Sequence, residues 1–140
     1  NSDSQIVISG NEQSVGLATE SLKSIGSKVI PLNVSGAFHS KLMSEAKSEL
    51  ANIIVNSKFN EVSYPIVSNF NAKPNTSIKQ IKHALIEQID NPVLWSKSIK
   101  SLSKLSNKFV EIGPKKVLSN IMKKIDDSLT IKSYNCIEDL

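Results

Sequence analysis

No arginine occurs in these 140 residues; all 17 basic side chains are lysines. Arginine grips a carboxylate with a planar two-pronged fork, a geometry that lysine does not copy. A bidentate carboxylate clamp must therefore come from outside this chain. Cysteine is nearly absent too. Cys136 stands alone, which excludes an internal disulfide framework and fits a reducing compartment. It is expected to be a small buried hydrophobe in a C-terminal strand. Aromatic residues make up 5% of the chain, so a core must be built from Ile, Val and Leu. No apolar run approaches a membrane span, and no basic segment followed by an apolar core marks a signal peptide. Spacings of His, Cys, Asp and Glu that would suggest a metal site are missing.

What is present is one domain's worth of chain with a net charge of +4 and a hydrophobic content of 39%. The lysines are spread along the chain without interleaved aromatic residues, unlike a nucleic-acid-binding surface. Their abundance beside Asn, Ser and Ile is a compositional bias first and a functional one second.

Hydrophobic periodicity predicts alternating strands and helices. Gln5–Ser9 reads as a strand and Ser14–Ile25 as a helix capped by Asn11 and stopped at Gly26; Lys28–Val34 is a second strand. A helix follows from about Ser40 to Val55. Tyr64–Ser68 is a strand and Asn71–Asn75 a loop. A helix capped by Thr76 or Ser77 ends at Asp90-Asn91-Pro92. Val93–Leu105 and Lys116–Ile125 are helices, while Lys108–Ile112 and Thr130–Tyr134 are strands. The pattern is that of an α/β fold, a largely parallel sheet covered by helices. Its chemistry is expected at Gly36-Ala37-Phe38-His39-Ser40, between an apolar run and a helix, where such sheets place their sites. By pattern alone a lone histidine there is more often structural than catalytic.

Four segments shift that balance. They are Asn1-Ser2-x-x-Gln5-Ile6-Val7-Ile8-Ser9-Gly10, Gly36-Ala37-Phe38-His39-Ser40-x-Leu42-Met43, Gln88-x-x-x-Pro92-Val93-x-Trp95 and Glu111-Ile112-Gly113-Pro114-x-Lys116-Val117-Leu118. In this order they resemble malonyl-CoA:acyl carrier protein transacylases, over essentially the whole chain but only about the C-terminal half of a full-length member. The chain opens on Asn, and the resemblance implies a missing N-terminal half of the same enzyme. It implies part of an α/β-hydrolase-like large domain over residues 36–140 and half of a small ferredoxin-like subdomain over residues 1–35.

The resemblance also assigns roles. His39 matches the catalytic base. Gln88 matches a glutamine whose main-chain carbonyl orients that imidazole. Phe38 and Asn1 match substrate-binding positions, with Phe38 leaving little room for an α-methyl branch. Asp3-Ser4 replaces the usual Pro-Gly beside Asn1. Lys28, Lys123 and Lys124 match basic positions that face an acyl carrier protein. The implied reaction moves malonyl from malonyl-CoA, a substrate and not a cofactor, to the carrier thiol through an acyl-serine. It serves fatty acid biosynthesis in the cytoplasm, or in a plastid or mitochondrion of a eukaryote. No cofactor, metal, nucleic acid or membrane is implied. The family's serine lies in a Gly-x-Ser-x-Gly elbow that this chain lacks, as it lacks the substrate-binding arginine, so the chain is not expected to turn over alone. Two other readings stand beside this one: part of a polyketide synthase acyltransferase domain, and a non-catalytic basic module that docks an acidic carrier protein or nucleic acid through its lysine face. A chain ending soon after Cys136 favours the free-standing enzyme. His83 is expected on the surface, and Glu111 in a structural role. Lys115 stands where Gly is usual, which puts the turn at Gly113-Pro114 in question.

Overall fold

A computed structural model describes residues 1–139. Helix α1, Glu12–Ser24, is capped by Asn11, whose side chain accepts from Ser14 N–H at 2.7 Å. It ends in a Schellman turn. Gly26 takes φ 83°, and the N–H groups of Gly26 and Ser27 return to the carbonyls of Lys23 and Leu22. A 3-10 turn, Lys41–Met43, leads into α2, Ser44–Asn56. Strand β1, Ile66–Val67, pairs antiparallel with β2, Pro74–Asn75. Helix α3, Ile78–Glu87, starts on a capping box between Ser77 and Gln80. Helix α4 is Trp95–Leu102, β3 Lys108–Ile112, α5 Val117–Ile125 and β4 Thr130–Tyr134. A last 3-10 turn covers Ile137–Asp139.

Strands β3 and β4 pair in parallel with α5 between them, a βαβ unit. Helix α4 packs on this unit and closes the core between them: Ile99, Met122 and Leu129, with Trp95, Phe109, Ile125 and Ile131 packed around them. Helices α2 and α3 pack as a second unit that buries Ile54, Ile81 and Ala84. The Lys82 ammonium of α3 closes the end of α2, donating to the carbonyls of Val55 and Ser57 at 2.8 Å each.

The fold is mixed helix and strand, as the periodicity predicts, but three local expectations are corrected. Among the described residues Gln5–Ser9 and Lys28–Val34 form no ladder, and the pairing near them is a bridge between Ser2 and Gln5. Strand preference expresses fit to a half-buried pleated surface, and none lies beside these segments: Ile6, Ile30, Leu32 and Val34 are exposed. Tyr64–Ser68 does not join β3 and β4. Its Ile66 and Val67 pair instead with Asn75 and Pro74, in the stretch expected to be a loop. The side chain of Asn75 closes that hairpin, donating to the carbonyls of Ile66 at 2.9 Å and Lys73 at 2.8 Å. Cys136 is exposed, because β4 stops at Tyr134 and the Asp139 carboxylate gathers the next N–H groups, of Asn135 and Cys136, into a turn.

Candidate active site

The segment before α2 is built around an uncommon backbone. His39 has φ 61°, in the left-handed region that few non-glycine residues enter and histidine enters more readily than most. Ser40 follows as the cap of the 3-10 turn. Its hydroxyl donates to the Ala37 carbonyl at 2.7 Å and accepts from Leu42 N–H at 3.3 Å. The chain therefore doubles back at His39 and leaves its imidazole exposed. Phe38 beside it is 46% exposed and takes no part in the core.

Gln88 closes α3. Its N–H is spent on Ala84 and Ile86, whereas its carbonyl belongs to the last turn, which has no further helical N–H to accept from. That carbonyl lies 2.7 Å from His39 Nδ1. A carbonyl only accepts, so Nδ1 carries the hydrogen, and Nε2 of the neutral ring keeps its lone pair. The imidazolium also carries a hydrogen on Nδ1, so the contact persists when Nε2 takes a proton.

Charged groups flank this contact. Lys41, two residues after His39, reaches Asp90, two residues after Gln88, at 2.9 Å. Lys47 of α2 reaches Asp90 and Glu87 at 2.9 Å each. Asp90 is 5% exposed, and the hydrogen bonds from Lys41 and then Lys47 hold its carboxyl below the usual range. Lys47 is held above its usual range by Glu87 and then Asp90. None of these four residues was singled out from the sequence. Charges 40 to 49 positions apart carry no local signal of pairing.

The other expected residues are dispersed. Asn1 lies at a shallow cleft of about 370 Å³ with Val93, Leu94 and Trp95, which His39 does not line. Asp3, next to it, ties the N-terminal residues to α4 through Lys100 at 2.6 Å and Ser96 at 3.1 Å. Lys123 and Lys124 border a groove of about 920 Å³ between α4 and α5 that also carries Lys97, Lys100 and Lys104; Lys28 does not line it. The ammonium of Lys123 is engaged by the carbonyls of Asp127 and Leu129, while Lys124 reaches Gln5 at 3.2 Å. His83 is exposed, edge-on to Phe70 with ring centres 5.9 Å apart.

Glu111 is occupied at the start of α5. Its carboxylate accepts from Leu118 N–H at 2.9 Å, from Ser119 N–H at 3.0 Å and from the hydroxyls of Ser119 and Ser133. The Ser119 hydroxyl above all holds that carboxyl below the usual range. Lys115 adopts φ 75°, so the turn keeps a left-handed residue at the position where glycine is usual. Among the described residues no group of His, Cys, Asp or Glu is placed to hold a metal ion, and no helix is long and apolar enough to cross a membrane.

A histidine locked in one tautomer by a main-chain carbonyl, at the entry to a helix of a mixed α/β fold, is an arrangement suited to acyl transfer through a serine. The comparisons with known proteins give that class a more particular form. The chain is 42% identical over 131 residues to the malonyl CoA-acyl carrier protein transacylase of Bacillus subtilis, covering 92% of this chain and 41% of that protein. It is 36% identical over 142 residues to the transacylase of that name from Staphylococcus aureus, covering 100% of this chain and 46% of that one. An acyl carrier protein S-malonyltransferase from Vibrio cholerae superposes with a TM-score of 0.87 at 32% identity, over 93% of this chain and 43% of that one. A malonyl-transacylase solved in complex with its type II polyketide acyl-carrier protein superposes with a TM-score of 0.87 at 31% identity, again over 93% and 43%. No family model matches the chain. The chain is thus a relative of malonyl CoA-acyl carrier protein transacylases, matching a C-terminal portion and spanning less than half of their length.

Proposed function

We propose that this chain supplies the general base and part of the acyl pocket of a malonyl-CoA:acyl carrier protein transacylase. The observation that carries the reading is the 2.7 Å contact between His39 Nδ1 and the Gln88 carbonyl, which leaves Nε2 free as a base. In the first half-reaction Nε2 takes the proton of a serine hydroxyl outside this chain. The serine oxygen attacks the malonyl carbonyl, the carbon–sulfur bond to coenzyme A breaks, and the imidazolium returns the proton to the departing thiolate. In the second, Nε2 deprotonates the pantetheine thiol of the carrier, the sulfur takes malonyl from the serine, and the serine oxygen recovers the proton.

On this reading residues 36–140 form the C-terminal part of an α/β-hydrolase-like large domain and residues 1–35 half of a ferredoxin-like subdomain. The exposed apolar segments of residues 6–8 and 30–34, together with Val110 and Ile112 on β3, offer surface for the remainder of such a domain to cover. Phe38, next to His39 in the chain, faces the acyl group; Asn1, at the cleft beside Trp95, is given that role by the resemblance alone. A ring at position 38 discriminates against an α-methyl branch by about 1–3 kcal/mol. Lys28 and Lys124 remain candidates for meeting an acidic carrier.

The test is reconstitution. The N-terminal part of the Bacillus subtilis relative, which the alignment leaves uncovered, is joined ahead of Asn1, and malonyl transfer from coenzyme A to an acyl carrier protein is measured. Transfer by this completed enzyme, and none by either piece alone, supports the reading. A folded chimera that loads no acyl group from malonyl-CoA would refute it.

A further inference from the structure

We propose that Asp90, gripped by Lys41 and Lys47, is a positioning residue that holds the Gln88 carbonyl against His39. The inference rests on the reading of His39 as the base. Two contacts run side by side between the same two chain segments: His39 to Gln88 at 2.7 Å, and Lys41 to Asp90 at 2.9 Å, each joining residues 49 apart. The second repeats the first two residues further along. Lys47 pins the same carboxylate from α2 and extends to Glu87 on the last turn of α3. Asn91 completes the set. Its amide donates to Asp90 Oδ1 at 2.8 Å, to the Glu87 carbonyl at 2.8 Å and to the Glu87 carboxylate at 3.2 Å, while its oxygen faces Lys41 at 3.4 Å.

The network decides where the helix-end carbonyls go. A helix frays at its last turn unless those acceptors are met. Asn91 takes the carbonyl of Glu87, which leaves that of Gln88 for the imidazole. On the other side, His39 sits at φ 61°, a sparsely populated conformation that persists only when its surroundings over-determine it. The hydroxyl of Ser40 restrains it from the chain itself, and the Lys41–Asp90 pair restrains it from the turn after α3. An ion pair in open water would do little of this. Here the carboxylate is 5% exposed, and a buried charge that loses a partner forces its neighbours to rearrange.

The experiment uses the completed enzyme with Asp90→Asn, which keeps the shape and removes the charge. The imidazole tautomer is read by nitrogen-15 NMR, with the His39 signals assigned by their loss in His39→Ala. The native ring should show hydrogen on Nδ1 alone; Asp90→Asn should show a mixture of the two tautomers. Transfer should fall about tenfold in kcat while KM for malonyl-CoA stays within about twofold, as a misaimed base predicts. Lys47→Met should behave likewise, and Lys47→Arg should restore the native tautomer and rate. If Asp90→Asn does not fold, Lys41→Met removes one grip from a side chain that is 73% exposed, with the same two readouts. A native tautomer in these variants overturns the positioning role, whatever the rate. A mixed tautomer with an undiminished rate upholds the positioning and refutes His39 as the base.

Discussion

Gln88 meets His39 through its main chain and not through its side chain: the carbonyl oxygen lies 2.7 Å from Nδ1, and the carboxamide makes no hydrogen bond among the described residues. What the imidazole needs is therefore the end of α3 in the right place, and the identity of the residue there is secondary. Gln88→Ala in the completed enzyme should keep kcat within about threefold of native, since the oriented carbonyl is retained. Gln88→Pro, which removes the N–H that closes the helix and distorts its end, should cost much more. A collapse of activity in Gln88→Ala would show that the carboxamide has a role the geometry does not give it.

The Glu111 carboxylate caps α5 from β3, and its depressed pKa gives the fold a defined acid response. A carboxyl whose folded pKa lies below its unfolded value of 4.5 stabilises the fold above that pH and loses the contribution as pH falls through the folded value. Glu111→Gln should be less stable than native at pH 7, and the gap in urea midpoint should shrink steadily below pH 4.5. A gap that is constant down to pH 3 would remove the charge from this account. Activity measured at low urea should change little, because Glu111 is committed to the helix start.

Lys115 carries a left-handed backbone, φ 75°, without glycine's freedom. Lys115→Gly relieves that cost but adds flexibility to the unfolded chain, for a net gain of about 0.5–1 kcal/mol. A raised thermal midpoint in Lys115→Gly, with Lys115→Ala near native, is the expected pattern. Destabilisation by glycine would mean that the lysine side chain holds the turn.

The adjacent lysines of α5 should separate into two kinds. Lys123 donates to two main-chain carbonyls beyond the helix, whereas Lys124 points to Gln5. Lys123→Ala should lower stability and affect every acceptor alike. Lys124→Glu, combined with Lys28→Glu, should slow transfer to the acidic carrier more than transfer to free pantetheine, and the difference should narrow as salt rises. Equal slowing for both acceptors at low salt would leave these lysines without a docking role.

The parts of the fold that are legible in the sequence are those set by neighbours along the chain. Strands β3 and β4 fall on the expected residues because Phe109, Ile131 and their alternating neighbours are bounded by Gly113-Pro114 and by the polar turn at 126–128. Helix α3 is announced by Ser77 and Gln80, three apart, ahead of an apolar stripe. Pairing is not written locally. The runs at Gln5–Ser9 and Lys28–Val34 have strand composition, yet a strand exists only beside another, and among the described residues none lies beside them. The same holds at the site. His39 stands out by its motif, and the resemblance points to Gln88. By contrast, Lys41, Lys47, Glu87 and Asp90 look like ordinary solvated charges until α2 and α3 pack and bring them within 2.9 Å. The left-handed turn at His39 is equally silent, since it falls on a histidine and not on a glycine.

On the proposed function, His39 relays the proton in malonyl transfer. The completed enzyme separates this from a structural role by comparing its two histidines from this chain in one assay of malonyl transfer from coenzyme A to the carrier protein. His39→Ala should lower kcat by about 10²–10⁴-fold, the usual worth of a general base, with an unchanged thermal midpoint. His83→Ala, at an exposed ring edge-on to Phe70, should leave kcat near native. Equal losses from the two substitutions, or full activity in His39→Ala, would contradict the account.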